Sequence, residues 1–197
     1  MARQGLNPAI IMREAAGIVD VVGAERLTLA RIAQQLDVRL PSLYKHIDSL
    51  AAVRAGVATL ATEQLAAAIT AAAVGRSGAD ALTALAAAYR DYARAHPGRY
   101  AMALRAPDPQ EARSAPIAAT MNVINAVLAS YGLAGDDALD AARAVRAALH
   151  GFATLETAGG FGFPRDVDAS FARLVSGLDI MLGHWPSTAE PATARPE

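Results

Sequence analysis

Residues 27–53 contain the pattern that most constrains the fold: two short amphipathic segments separated by a tight turn. Thr28 is a good N-cap, because its hydroxyl can accept a hydrogen bond from a free N–H group of the following turn. The first segment then places its apolar side chains three and four residues apart, on one helical face: Leu29, Ile32, Ala33 and Leu36. Asp37 follows directly, a residue that tolerates the left-handed conformation better than most residues other than glycine.

The second segment begins near Leu40 and Pro41, since proline is well accommodated in the first turn of a helix. Its spacing turns Leu43 and Ile47 inward. The other side chains are largely outward: Ser42, Tyr44, Lys45 and His46. Two short helices joined in this way predict a helix-turn-helix, whose second helix can enter the major groove of DNA.

The run LTLARIAQQLDVRLPSLYKHI, with the helix before it, resembles the DNA-binding domain of TetR-family transcriptional regulators. This resemblance implies that Ala33 lets the two helices cross closely and that Thr28 and Tyr44 contact phosphates. It places five residues where the recognition helix of the family meets DNA: Leu40, Pro41, Ser42, Tyr44 and His46. Arg39 and Lys45 complete the predicted DNA-binding set.

Three positions depart from the pattern of the family. Asp37 stands where glycine is usual, and Arg39 stands where a serine-like cap is usual. Leu50 stands where the family often has a phosphate-binding lysine at the start of the fourth helix. We therefore expect Lys45 or Arg54 to supply more of the attraction to phosphates.

The rest of the chain has helical periodicity, and no run competes for a β-strand. Asn7 caps a first helix that has Pro8 in its first turn and ends at Gly23, and Ser49 caps the long fourth helix. Further helices are predicted at about 49–74, 79–95, 99–105, 116–131, 136–158 and 167–183, with a loop at 106–116 and a flexible tail at 186–197. The predicted fold is all-α: a three-helix helix-turn-helix domain (1–48), followed by a helical-bundle ligand-binding and dimerisation domain (49–185).

The runs ALHGFATLETAGGFGFP and FARLVSGL resemble the WHG-type C-terminal domain of one TetR subfamily. This resemblance implies a regulatory domain whose last two long helices form a four-helix bundle with a partner. Ala147 and Gly151 permit close approach of helices, and one stripe offers an apolar seam: Phe171, Leu174, Leu178 and Met181. The alternative is that these stripes are internal core.

Bulky side chains in an alanine-rich bundle are ordinary core or, alternatively, the lining of a mainly apolar effector pocket. The predicted pocket residues are Tyr89, Tyr92, Tyr100, Met102, Met121, Asn125, His150 and Phe152. His150 shares its helical face with Arg143, Arg146 and Thr154, so this stripe lies either at a solvated surface or in a pocket.

Composition narrows the classes of function. The net charge is −1, although residues 1–55 hold seven Lys or Arg against five Asp or Glu. There is no cysteine, and the four histidines lack metal-binding spacing. No nucleophile, phosphate loop or paired-carboxylate motif stands out, so we expect no enzyme, no cofactor and no metal.

No segment is long and apolar enough for a membrane span, and a cytoplasmic protein is the default expectation.

These patterns together predict a DNA-binding transcriptional regulator. We expect a homodimeric repressor that binds a palindromic double-stranded DNA operator and is released by a small, largely apolar effector. The alternative is a helical sensor or protein-interaction module without effective DNA binding, which Leu50 and the low net basicity favour.

Overall fold

A computed structural model describes residues 5–104 and 114–186, and every regular element in these two ranges is helical. The helices are α1 (Pro8–Val22), α2 (Leu29–Gln35), α3 (Leu40–Leu43), α4 (Leu50–Ala73), α5 (Gly78–Ala95), α6 (Pro97–Met102), α7 (Ala115–Ala129), α8 (Gly135–Thr157) and α9 (Val167–Gly183). A 3-10 turn, Ala24–Arg26, joins α1 to α2. The predicted flexible tail and most of the predicted 106–116 loop lie outside the described residues.

The N-terminal helices begin at the capping residues that the sequence predicts. The side chain of Asn7 accepts from the N–H of Ile10, and the Thr28 hydroxyl accepts from the N–H of Arg31. Ser49 caps the long helix α4 in the same way. Asp37 has a φ of 52°, which confirms the left-handed residue expected between α2 and α3.

Two hydrophobic cores organise the chain. The first core joins α1, α2, α3 and the start of α4, with Ile11, Leu27, Ile32 and Leu43 fully buried. The second core lies among the remaining helices, and α5 packs against α4, α8 and α9 within it. The helix α4 contributes to both cores, with Val53 and Val57 in the first and Ile69 and Ala73 in the second. A single rigid helix therefore connects the two halves of the molecule.

The apolar stripe of α9 corrects one expectation from the sequence. Phe171 and Leu178 are buried within the protomer, in the second core, and so do not lie on its surface. Leu174 and Met181 are half-buried and pack against the same core. Apolar residues at spacings of three and four predict that one face of a helix is buried. They do not predict whether the same protomer or a partner covers that face. The outward residues of α9 include Ile180, whose exposed fraction is 63%.

A buried arginine ties α5 to the end of α8 and the start of α9. Arg90 is only 7% exposed. Its guanidinium donates to both carboxylate oxygens of Glu156, at 2.7 and 2.6 Å, and to Asp168 at 2.7 Å. The same guanidinium lies over the ring of Phe171, 4.6 Å from the centroid. Hydrogen bonds to Glu156 raise the pKa of Arg90 above its ordinary value, so the charge is permanent.

Across the two described ranges, no helix combines the length and the apolar character that crossing a bilayer requires.

Candidate functional site

The helix-turn-helix presents most of the predicted DNA-binding residues on one surface. Arg39, Leu40, Pro41, Tyr44 and Lys45 are exposed. Tyr44 is 54% exposed and Leu40 is 39% exposed, so both side chains are accessible to a partner. Leu43 and Ile47 of the same segment are buried in the first core, and they fix the position of this surface.

The second helix of this motif is shorter than the sequence predicts. Helix α3 ends at Leu43, and residues 44–46 continue as turns. The N–H of His46 donates to the carbonyl of Leu43 at 2.8 Å. Tyr44 and Lys45 therefore extend from the turn that follows α3, while Ser42 and His46 are half-buried beside them.

Two residues near this surface have structural partners. The Thr28 hydroxyl oxygen accepts from the N–H of Arg31 to cap α2, and its proton remains available to donate to a phosphate oxygen. Arg54 is half-buried and donates to the carbonyl of Ala24 at 3.2 Å, so it ties α4 to the 3-10 turn. Of the two cations expected to compensate for Leu50, Lys45 is the one whose ammonium is exposed at this surface.

A cavity of about 360 Å³ lies among α4, α5, α7 and α8, and the two residues that follow α6, Ala103 and Leu104, line one side. Most of its lining is aliphatic: Leu65, Ala66, Ile69, Leu82, Leu85, Ala103, Leu104, Ile117, Met121, Ile124, Val127, Leu128, Leu139, Ala142, Val145 and Leu149. The polar lining residues are Thr62, Tyr89, Thr120, Arg143 and Arg146. An apolar cleft of this volume with few polar groups is typical of a small-molecule site.

A chain of hydrogen bonds begins at the polar edge of this cavity. The hydroxyl oxygens of Tyr89 and Tyr100 are 3.0 Å apart, and Tyr100 is 2.7 Å from Nδ1 of His150. The Thr154 hydroxyl lies 3.2 Å from the same nitrogen. Burial raises the pKa of Tyr89, although hydrogen bonding to Tyr100 and the charge of Arg146 act against it. Burial also raises the pKa of Tyr100.

The eight residues predicted for the pocket divide into three groups. Tyr89 and Met121 line the cavity, while Tyr100 and His150 lie one layer behind Tyr89. The other four lie outside this cavity: Tyr92, Met102, Asn125 and Phe152.

Each of these four has a different environment. Tyr92 donates to the carbonyl of Ala61, and Met102 packs against the N-terminal core. Asn125 is exposed, and Phe152 stacks on Phe171 in the second core.

The sequence missed most of the cavity lining. Arg146 belongs to the polar stripe of α8 that the sequence did single out. Thr120 had no such signal, and it is 7% exposed with its hydroxyl donating to the carbonyl of Ala66 at 2.8 Å. The aliphatic lining residues are indistinguishable in sequence from ordinary core.

The short helix α6 connects the cavity to the DNA-binding half. Its last residues run into Ala103 and Leu104, which line the cavity. At its other end, Asp20 of α1 accepts from the backbone N–H of Arg99 at 2.8 Å and from its Nε at 2.6 Å. Arg99 also donates to Gln64 of α4 at 2.9 Å. The Arg99 guanidinium and the Asp20 carboxylate are both mostly buried, so α6 is firmly attached to α1.

These features define an all-helical protein with an exposed helix-turn-helix surface in one half and an apolar cavity in the other. A family model for the tetracycline-repressor-like C-terminal domain matches residues 82–178. An uncharacterized HTH-type transcriptional regulator of Mycobacterium tuberculosis is 38% identical over 190 residues, covering 90% of this chain and 86% of the relative. Another, from Bacillus subtilis, is 34% identical over 188 residues, covering 90% of this chain and 95% of the relative. The chain belongs to the TetR family of transcriptional regulators, and it is not an enzyme.

Solved structures share the fold. A protein of unknown function from Rhodococcus sp. RHA1 superposes with a TM-score of 0.75 at 24% identity, covering 92% of this chain and 98% of that one. A TetR variant from Acinetobacter baumannii AYE, solved in complex with minocycline, gives a TM-score of 0.65 at 22% identity, covering 90% of this chain and 95% of that one. At these identities the likeness concerns the arrangement of helices.

Proposed function

We propose that this regulator binds a palindromic operator as a homodimer and is released when a small, largely apolar effector enters the cavity. One observation carries the proposal: Ala103 and Leu104, which directly follow the short helix α6, line the cavity, and α6 itself holds α1 of the DNA-binding half through Arg99 and Asp20. The helix-turn-helix domain takes residues 1–48, and residues 49–185 form the ligand-binding and dimerisation domain, with the first turns of α4 packed into the former.

Binding of DNA rests on the exposed residues around α3. Leu40, Pro41 and Tyr44 present apolar and hydroxyl groups of the kinds that read base edges and phosphates. Lys45 adds a positive charge that attracts the DNA backbone. Ser42 and His46 lie beside them, and Thr28 and Arg39 complete the proposed surface.

The substitution Tyr44→Ala tests this surface. Because Tyr44 is more than half exposed, its removal leaves the core intact, and we expect the thermal midpoint to change little. Operator affinity, measured by fluorescence anisotropy, is expected to fall by about tenfold or more, since removing a base or phosphate contact costs roughly 1–3 kcal/mol. Val21→Ala on α1 is a matched control, because it also removes an exposed large side chain from the N-terminal half. Unchanged operator affinity in Tyr44→Ala would refute the proposed surface.

The dependence on salt separates phosphate contacts from other contacts. The logarithm of the affinity for DNA falls linearly with the logarithm of the salt concentration when phosphates are neutralised. We expect Lys45→Gln to weaken binding to all DNA sequences and to lower this slope by about one for each phosphate that the lysine neutralises. A chain that acts only as a sensor or interaction module would show no such slope.

The proposed response to the effector is a shift between two conformations. A ligand that fits the cavity better when Ala103 and Leu104 move outward would displace α6. Since Asp20 holds Arg99, this motion would reach α1 and change the position of the recognition surface. Helix α4 offers a second connection, because its two ends lie in the two cores. A ligand that binds tightly and leaves operator affinity unchanged would refute this mechanism.

The proposed dimer uses the outward faces of α8 and α9. Ala147 and Gly151 have little or no side chain, so another helix can pack closely against α8 at these positions. Leu155 on the same helix is 51% exposed, and Ile180 of α9 is 63% exposed. A glutamate in place of Ile180 would put a charge in such an interface, so we expect Ile180→Glu to convert dimers to monomers in sedimentation velocity. A wild-type protein that sediments as a monomer would contradict this part of the proposal.

A further inference from the structure

We propose that the effector carries a single carboxylate, which pairs with Arg146 while an aliphatic body fills the cavity. This inference rests on the proposed function of the cavity as the effector site and adds the chemical class of the ligand. It makes Arg146 the residue that determines specificity.

The charged side chains that line the cavity are all positive. Arg143 and Arg146 belong to the lining, and the described lining residues include neither aspartate nor glutamate. The rest of the wall is aliphatic apart from Tyr89 and two threonines. The Thr120 hydroxyl is already engaged: its proton lies between the carbonyls of Ala66 and Pro116, at 2.8 and 2.9 Å, and its oxygen is 2.8 Å from the Thr70 hydroxyl. The cavity therefore has a mainly apolar wall and a positively charged edge.

The two arginines differ in whether their charge is already neutralised. Arg143 has Asp140 3.2 Å away, an exposed ion pair on one helical turn. Within the part of the chain that the structure describes, Arg146 has no carboxylate partner and interacts instead with the hydroxyl of Tyr89. A guanidinium offers five N–H donors in a planar fork that matches a carboxylate. Arg146 is thus the cation that an anionic ligand would find unpaired.

The hydrogen bonds that join Tyr89, Tyr100 and His150 leave a donor at this edge in one of their two possible directions. If Nδ1 of His150 accepts from Tyr100, then Tyr100 accepts from Tyr89, and the oxygen of Tyr89 is an acceptor for Arg146. If Nδ1 carries a proton, the chain runs in the opposite direction and the O–H of Tyr89 is free to donate into the cavity. In the first direction the donors at this edge are the remaining N–H groups of Arg146, and in the second direction the Tyr89 hydroxyl adds one more; both suit the acceptor oxygens of a carboxylate.

The volume limits the size of the ligand. At about 30 Å³ for a water-sized group, 360 Å³ holds roughly twelve non-hydrogen atoms. Decanoate has this number of non-hydrogen atoms, and decan-1-ol has the same chain without the charge. These two molecules are the probes for the test.

The experiment measures both probes by calorimetry on the full-length protein, below their aggregation concentrations. We expect Arg146→Gln to weaken decanoate binding about tenfold, as for removal of a hydrogen bond to a charged group, and to change decan-1-ol binding less than twofold. Arg143→Gln removes the same charge one turn away. It is expected to weaken decanoate binding by less than threefold, because Asp140 already pairs with Arg143. Arg146→Lys keeps the charge and is expected to restore part of the affinity.

The outcomes separate this inference from the proposed function. Equal losses for acid and alcohol in Arg146→Gln, or no loss for either, would overturn the inference. Binding of decan-1-ol that releases the operator, with no binding of decanoate, would also overturn it while supporting the proposed function. Arg146-dependent binding of decanoate without any change in operator affinity would support the inference and contradict the proposed effector response.

Discussion

Replacing Gly98 by alanine perturbs the contact between the cavity half and the DNA-binding half at its closest point. A Cβ added at Gly98 would lie 2.0 Å from the carbonyl oxygen of Val19 and 2.7 Å from the backbone nitrogen of Asp20. Both neighbours are main-chain atoms of α1, so no side-chain rotation can relieve the overlap. Ordinary contact begins at 3.4 Å, and α6 must therefore withdraw by about 1.4 Å, the difference between 3.4 and 2.0 Å.

The expected loss of stability follows from opposing contributions. Alanine in a helix gains about 1 kcal/mol over glycine through its higher helix propensity. Overpacking against rigid neighbours costs about 1–3 kcal/mol, and weakening the Asp20–Arg99 hydrogen bonds adds roughly 1.5–3 kcal/mol. The free energy of unfolding should fall by about 1.5–5 kcal/mol, or roughly 3–20 °C in Tm for a chain of this size.

Urea unfolding followed by circular dichroism measures this loss at a fixed protein concentration. Gly17→Ala is the matched control. Gly17 lies on α1, two residues before Val19, and an added Cβ there meets nothing within 4 Å. We expect this control to be neutral or up to about 1 kcal/mol more stable. If Gly98→Ala were as stable as the wild type, α6 would not press against α1, and the proposed route from cavity to DNA would lose its basis.

Three further predictions test other parts of the structure. Arg90→Gln leaves the mostly buried Glu156 with Arg94 alone, a half-exposed side chain whose Nε is 4.0 Å away, and it should lower the free energy of unfolding by about 3 kcal/mol in the same urea assay; a loss below about 1 kcal/mol would contradict the described network. Asp37→Val puts a β-branched residue at a φ of 52° and should lose about 1–2 kcal/mol, whereas Asp37→Gly should be tolerated. Burial raises the pKa of Tyr92 to about 12, so stability should be retained below pH 10 and fall by about 2–3 kcal/mol between pH 10 and 12, where the unfolded chain ionises first. Denaturation midpoints compared in wild type and Tyr92→Phe check this, and an equal decline in both would contradict it.

The local signals in the sequence were sufficient for most helix ends. Asn7, Thr28 and Ser49 cap helices as predicted, because a capping side chain acts only on the next turn of its own chain. The left-handed Asp37 was predictable for the same reason. The length of α3 was not predictable. The spacing of Leu43 and Ile47 fits either a continuous helix or a single helical turn followed by non-helical turns.

Contacts between distant segments explain what the sequence could not predict. Arg90 and Glu156 are 66 positions apart, and no periodic pattern relates them. The stripe of Phe171 and Leu178 is apolar whether it faces a partner or its own protomer, and only the tertiary structure decides. The cavity lies between helices whose aliphatic residues resemble core, so Tyr89 and Met121 were identified and most of the lining was not.

Selection of bound sites from random double-stranded DNA is the most direct test of sequence-specific DNA binding by this regulator. We expect an enriched inverted repeat with half-sites one or more helical turns apart, bound by two protomers and no longer enriched with Tyr44→Ala. A selection that enriches no sequence, or one that Tyr44→Ala reproduces unchanged, would contradict the proposed mode of DNA recognition.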